Sequence, residues 1–305
     1  MSKTYRFFGD YLRDKFGCRV LKLPINAGMS CPNRDGTLSY EGCIFCSTDG
    51  SAAPATYCGG DICAQMNNAK SMFKRIEEET KFIAYFQAFT NTYASIDKLK
   101  ELYNAAISVS DIVGLMIGTR PDCLNDDVLN LISEYKKDGF ELWVEIGMQS
   151  AFNKSLNFLN RGHSYEDTVD AVHRAAKLGL NTCLHVILGI PGETWDDMME
   201  TALHTASLPI NGIKFHHMHV IRGTKLEEMY NTGSISMLTM QEYVSVLCDF
   251  IERQRPETLI HRLMGDRNKK TLAAPLWGQH KGTVQKAIDD EFQRRGSYQG
   301  FLYTD

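Results

Sequence analysis

No stretch of about 18 consecutive apolar residues occurs in this chain of 305, so no segment reads as a membrane-spanning helix. Residues 1–11 show no long apolar core ahead of a small-residue cleavage site, and the chain is expected in the cytoplasm. An excess of one charge is also missing. A net charge of -4 excludes a globally basic nucleic-acid binder, so any RNA contact must come from a local patch. Low-complexity tracts are absent, and the sequence shows no internal repeat. What remains is an ordinary globular composition, 43% hydrophobic, long enough for one large α/β barrel or two modest domains.

Cysteine, by contrast, is plentiful. Nine cysteines form an odd set that fits a disulfide framework poorly and turns attention to metal or catalytic use. Cys18, Cys31, Cys43, Cys46, Cys58 and Cys63 crowd the first fifth of the chain, whereas Cys123, Cys183 and Cys248 stand singly among apolar neighbours and read as small buried hydrophobes.

Apolar runs suited to buried parallel strands recur at residues 19–25, 82–89, 112–117, 141–146, 182–188 and 213–220. Between and after them, residues 64–79, 96–108, 125–137, 165–178 and 195–207 carry apolar positions at helical spacing. From residue 82 on, strand starts repeat every 30 to 40 residues, the length of a βαβ unit. The fold expected is α/β: a partial (β/α)6 barrel over residues 1–225, followed by an α-rich extension over 226–305. In such folds ligands bind at the loops that follow the strands.

In the extension, one long helix over 239–253 leads into a segment read as irregular and basic. From 251 to 286 it holds eight cations (Arg253, Arg255, Arg262, Arg267, Lys269, Lys270, Lys281, Lys286) against three carboxylates. That run reads either as a solvated face or as a patch able to meet phosphates, with His261, Trp277, His280, Phe292 and Tyr298 available to stack a base. On the sixth strand, alternation places His217 and His219 on one face, beside His216.

The strongest motif lies in residues 26–50. Eleven residues separate Cys31 from Cys43, and Cys46 completes a C-x-x-C step. Thiolates suit iron–sulfur clusters or zinc, and the glycines of this loop let backbone wrap a bulky centre. A structural zinc site closes with a fourth ligand, for which Cys58 and Cys63 are candidates; three ligands to a four-iron cluster leave one iron free for a small molecule. Cys58 and Cys63 are also candidates for an auxiliary cluster or a transient reaction with substrate, although two thiols rarely hold a second cluster.

Six stretches together resemble the radical S-adenosylmethionine superfamily over nearly the whole chain. They are Cys31-Pro32-Asn33-Arg34-Asp35-Gly36, residues 86–92, Gly118-Thr119-Arg120-Pro121-Asp122, Gly147-Met148-Gln149-Ser150, Asn160-Arg161-Gly162-His163, and the segment with Ala273, Pro275, Leu276 and Trp277. The likeness is to the group typified by YhcC and YtqA, related to the radical domain of the Elongator catalytic subunit, with the usual cysteine spacing widened. It implies a [4Fe-4S] cluster on Cys31, Cys43 and Cys46, S-adenosylmethionine on the free iron, reductive cleavage to a 5′-deoxyadenosyl radical, and an electron donor such as flavodoxin or ferredoxin.

By position, the resemblance implies that Gln87 and Thr90 meet the methionine amine, although this loop departs from the superfamily's Gly-Gly-Glu-like motif. Gln149 and Ser150 correspond to ribose or carboxylate contacts, and Arg161 to a partner of the cofactor carboxylate. Gly189 and Gly192 fall where the superfamily recognises adenine. For substrate, the resemblance implies the wobble uridine of transfer RNA. Here a carboxymethylaminomethyl side chain would be converted to aminomethyl, since the carbon between nitrogen and carboxylate gives a stabilised radical. Two other classes stand beside it: a radical enzyme acting on a small molecule or peptide, and a non-catalytic zinc-binding interaction module.

Overall fold

The apolar runs form parallel strands because all but the first, which is half-buried at the edge, are buried on both faces. The computed structural model describes residues 4–48, 50, 60–73, 79–267 and 269–304. In it the six expected strands appear as β1 (Val20–Ile25), β2 (Lys81–Phe86), β3 (Ile112–Thr119), β4 (Glu141–Gln149), β5 (Asn181–Leu188) and β6 (Gly212–His217). All pair in parallel with their sequence neighbours. β2 is shorter than expected, because Phe89 takes a positive φ of 60° and turns the chain out of the sheet. The run at 213–220 also divides: after β6, β7 (Val220–Ile221) pairs antiparallel with β9 (Leu272–Ala274) in a separate ribbon.

The sheet has a seventh strand. β8 (Leu259–Arg262) pairs in parallel with β6, giving the order β1-β2-β3-β4-β5-β6-β8. Those residues belong to the segment read as irregular, so the extension after residue 225 contributes to the sheet itself. Four residues are too few for a periodic signal, and the register breaks inside them: Ile213 faces Ile260 while Lys214 faces Arg262. His261 is the extra residue of a β-bulge, which lets His261 and Arg262 both turn to the inner side.

Helices α2 (Ile62–Ser71), α3 (Ile96–Ile107), α4 (Asp126–Ser133) and α6 (Tyr165–Lys177) pack outside β1 to β5 around Leu23, Phe86, Ile117, Val144 and Leu184. α7 (Trp195–Ser207), α9 (Met240–Glu252) and α10 (Lys281–Arg295) cover β6 and β8 around Phe215, Phe250 and Phe292. Serine or threonine N-caps with a reciprocal acid start α6, α7 and α9, at Ser164, Thr194 and Thr239. α1 (Phe8–Phe16) closes the bottom of the sheet. Phe8 stacks on His261 with ring centroids 3.9 Å apart and meets Trp143 edge-on, while Phe7 bridges to Ile260.

This packing corrects part of the reading of the basic segment. Phe292 and His261 are buried in the core and cannot stack a free base. Trp277 packs against Tyr243 and His217 and donates its indole N–H to Leu238. The cations also scatter: Arg253 lies over the Trp195 ring, Lys286 pairs with Asp290, and Arg262 enters the barrel.

Leu184 is fully buried in the outer core. Leu184→Ala should lower the denaturant midpoint by the equivalent of about 2–5 kcal/mol, read by equilibrium unfolding; a loss below about 1 kcal/mol would mean this layer can collapse around the gap.

Candidate active site

Period-two alternation writes the lumen as layers. The lowest holds Ile83, Met116, Trp143 and Cys183 around Phe8. Two residues further along β2, β4 and β5 come Tyr85, Glu145 and His185, which with Lys214 of β6 make a polar layer in an otherwise apolar barrel. Above it stand Gln87, Gly118, Gly147 and Ile187, and then the loop that follows β1. One cavity of about 170 Å³ runs through the upper layers, with Cys31, Cys43 and Cys46 at its mouth and Lys214, His216 and Arg262 deeper in.

Polar bonds from distant segments hold the cysteine loop. Arg34 donates to the carbonyls of Cys46 (2.9 Å) and Ser47 (2.8 Å). Asn160, in the left-handed region at φ 53°, donates its amide to the Gly42 carbonyl at 2.7 Å. Asn33 is buried and donates to the Asn160 carbonyl and to the Cys43 sulfur. Arg161 uses all three of its guanidinium nitrogens here. It donates to Cys43 Sγ (3.3 Å), to the Gly147 carbonyl (2.9 Å) and to His163 Nε2 (3.1 Å). Because Nε2 accepts, the His163 proton sits on Nδ1, 3.0 Å from the Ser164 carbonyl; burial, then Arg161, push its pKa down to about 2. Burial opposes the charge of Arg120, but a two-pronged pair with Asp122 outweighs it, and Arg120 in turn holds the Arg161 carbonyl. Burial raises the pKa of the Cys46 thiol, with Cys43 adding to the rise, and the nearby cations of Arg34 and Arg161 oppose it.

The three thiols suit a cluster better than a single ion. Four Zn–S bonds of about 2.3 Å set ligand sulfurs roughly 3.8 Å apart. Cys31, Cys43 and Cys46 line one cavity, yet their sulfurs do not all lie within 4.8 Å of one another. That spread is too wide for one zinc. Gly50, at φ 60°, leaves room that a Cβ would lose to the Phe89 ring, which lines the same cavity.

In the polar layer Glu145 is fully buried. Its Oε2 accepts from the Tyr85 hydroxyl (2.6 Å), from Lys214 (2.7 Å) and from His185 Nε2 (2.8 Å). Burial alone would raise the Glu145 pKa, but Lys214 and Lys22 outweigh it and hold the carboxylate well below its usual range. Burial, then Lys214, push His185 down to about 4, so the neutral ring must donate the bond. Lys214 also donates to the Tyr85 oxygen at 2.6 Å.

Of the residues singled out in the sequence, Gln87, Thr90, Gln149, Arg161 and the three cysteines line this one cavity. Ser150, Gly189 and Gly192 do not. Ser150 donates to Glu193 at 2.5 Å and accepts from the Phe152 amide. Gly189 gives its N–H to Met198 Sδ, and Gly192 is a left-handed turn residue at φ 91°. His217 and His219 do lie together, with rings 5.3 Å apart, but behind the sheet beside Trp277. Cys63 sits half-buried on α2 and Cys58 lies outside the described residues. Cys183 and Cys248 are buried as expected; Cys123 is half-buried, with burial pushing its thiol up to about 12. Sequence reading missed Tyr85, Glu145, His185, Lys214, Arg262 and Lys22. A signal for Glu145 and Lys214 was present: single charges inside otherwise apolar strand runs.

Comparison with known proteins agrees with this architecture. The model of the radical SAM superfamily matches residues 31–204, and that of the radical SAM C-terminal domain residues 210–294. The chain is 39% identical over 302 residues to the uncharacterized protein YtqA of Bacillus subtilis, covering 99% of this chain and 94% of that one. It is 30% identical over 138 residues to a tRNA uridine(34) acetyltransferase of Methanocaldococcus infernus, spanning 44% of this chain and 25% of the relative. Among solved structures, an N-terminally truncated Elp3 of Methanocaldococcus infernus superposes with a TM-score of 0.66 at 17% identity, over 92% of this chain and 64% of that one. The match to the radical SAM superfamily over residues 31–204 overturns the reading as a non-catalytic zinc module.

Lys214 gives a pH signature. Burial, partly offset by Glu145, brings its pKa from 10.5 down to about 8. Between those values the unfolded chain binds the proton that the folded chain has released, so this group adds stability as pH rises from about 8 to 10.5 and none is gained below that window. Denaturant titrations of wild type and Lys214→Met across this range should diverge, with wild type gaining; parallel curves would show that Lys214 titrates normally.

Proposed function

We propose that this chain, which belongs to the radical S-adenosylmethionine superfamily, modifies the wobble uridine of transfer RNA, converting a carboxymethylaminomethyl side chain to aminomethyl. That it is a radical S-adenosylmethionine enzyme with a [4Fe-4S] cluster follows from the family. The single observation that carries the site assignment is one cavity with three thiols at its mouth and a charged polar layer beneath.

In this reading Cys31, Cys43 and Cys46 hold the cluster, which with S-adenosylmethionine supplies a 5′-deoxyadenosyl radical able to take an unactivated hydrogen. Asn33 and Arg161 donate to the Cys43 sulfur and so tune the cluster's charge. Gln87, Thr90 and Gln149 bind and orient S-adenosylmethionine at the same mouth. Arg161 donates to Cys43, Gly147 and His163 and so acts on the cluster side, while the second N–H of each terminal nitrogen is left for the cofactor carboxylate. Ser150, Gly189 and Gly192 shape the loops behind. A flavodoxin or ferredoxin would feed the electron.

Support for the RNA substrate comes from the likeness to a tRNA uridine(34) acetyltransferase and from a lateral entrance. Between the β1 and β8 edges lies a second cavity of about 570 Å³, lined by Phe7, Lys22, Phe73, Arg262 and Lys281 among others. It shares Tyr85, Gln87, Lys214 and Arg262 with the first. A base turned out of an RNA loop could reach the lumen by this flank, with cations at hand for its phosphates.

Anaerobically reconstituted protein, given dithionite, should make 5′-deoxyadenosine, and Cys43→Ala should make none. With tRNA carrying the carboxymethylaminomethyl nucleoside, nucleoside mass spectrometry should show the aminomethyl product only when S-adenosylmethionine is present. An unaltered wobble nucleoside beside normal cofactor cleavage would reject the RNA substrate while leaving the enzyme class in place.

A further inference from the structure

We infer that the lower lumen is a binding site for a small anionic group of the substrate, a carboxylate or a phosphate, gripped by Lys22, Lys214 and Arg262. The inference rests on the reading above in taking this cavity to receive the substrate.

Three cations enter the space below the thiols, and one carboxylate answers them. Lys214 lies 2.7 Å from Glu145 and Lys22 lies 3.8 Å from it. Among the described residues no carboxylate pairs with Arg262; its Nη2 rests against the ring of His216 and its buried Nε has no hydrogen-bond partner. Asp266, also at the flank, is exposed to solvent. His185 and His216 add no negative charge, and the Tyr85 hydroxyl, its pKa raised by burial and then by Glu145, stays neutral. The lumen therefore holds two more positive charges than negative ones.

Lys214 is buried, and Lys22 and Arg262 are half-buried at the flank; cations drawn out of water without a counter-charge are costly, so a fold keeps them only where something else neutralises them. The three cations respond accordingly. Burial lowers the pKa of each, and for Lys22 and Lys214 repulsion from Arg262 adds to the effect. A neutral ligand would leave the surplus in place. A metal ion would worsen it, which disqualifies the grouping of Glu145, Cys183 and His261 within 4.8 Å as a cation site, since Lys22 and Lys214 already occupy that carboxylate. An oxyanion fits. Lys214 and Lys22 offer ammonium donors, Arg262 an idle guanidinium edge, and charge-assisted bonds are the strong ones. Arg262 and Lys214 share one cavity with the thiols, so an acid held there would present its neighbouring carbon toward the cluster end.

The test uses cluster-loaded protein in two arms. In the first, acetate or inorganic phosphate replaces chloride at constant ionic strength while thermal unfolding is followed. Wild type should be stabilised by the anion that fits, acetate and phosphate separating the two sources. Arg262→Gln should lose that stabilisation and, in chloride, melt no lower than wild type, because a cation without a partner has been removed. Lys22→Met, on the sheet edge, repeats the comparison should the first variant fold poorly. In the second arm, anticodon stem-loops carry the carboxymethylaminomethyl nucleoside or its neutral carboxamide. Wild type should bind the acid roughly 10- to 100-fold more tightly, a preference that Arg262→Gln largely erases. Absence of any anion effect in wild type, with both variants melting well below it, would overturn the proposal. Anion stabilisation lost in the variants, beside equal binding of the two stem-loops, would uphold the anion site and reject the wobble-uridine reading.

Discussion

One buried carboxylate organises the interior of this protein. Glu145 sits at the centre of the lumen with three donors on one oxygen, supplied by β2, β5 and β6. Strand β1 adds Lys22 on the other oxygen. Four strands are thereby tied across the barrel and not only along it. Without Glu145, Lys22 and Lys214 would face each other and Arg262 in a space only partly open to water, where repulsion is stronger than at a free surface. Without the cations, Glu145 would be an ion stranded in a hydrocarbon setting. A layer of this kind confers little net stability over an apolar one. Its presence marks the lumen as a place kept polar for a ligand, since a closed apolar barrel would be the cheaper fold.

The cysteine loop poses a different problem. It is long, it starts directly after β1, and it must bring three thiols to one cavity. The solution is attachment to rigid neighbours. Asn160 and Arg161 lie just after α5 (Asn153–Phe158) and reach the backbone of Gly42 and the sulfur of Cys43; Arg120, from the end of β3, fixes the Arg161 carbonyl. His163 contributes by staying neutral, so that it accepts from the guanidinium and does not repel it. The Asn-Arg-Gly-His stretch is thus bonded directly to the cysteine loop.

Much of this was legible in the sequence. The strand rhythm, the helical spacing and the cysteine spacing all rest on short-range patterns, which survive in one dimension. The layering of the lumen follows from the same periodicity once one inward residue is known. From Gln87, counting back two gives Tyr85; from Gln149, counting back four gives Glu145. What could not be read depends on breaks in period. Ser150 and Gly189 belong to the same strand-end loops as lumen residues, yet the positive φ of Gln149 and the turn at Gly189 aim them elsewhere. His261 was read as a surface residue because nothing local says that the segment around it is a strand.

The seventh strand shows how a single irregularity creates the site. With strict alternation, inward-facing His261 would send Arg262 outward into the helices, where its charge would meet the apolar faces of α9 and α10. The bulge opposite Ile213 and Lys214 removes that conflict by turning both residues inward, His261 down onto Phe8 and Arg262 up toward His216. Among the described residues the seam between β1 and β8 is sealed at its base, by the Phe7 bridge to Ile260 and the Phe8 stack. Above that plug the two edge strands present Lys22 and Arg262 to an opening in place of a partner strand. An eighth strand here would complete the hydrogen bonding and bury both cations. The open seam leaves them facing the path by which a large substrate can reach the thiol end of the barrel.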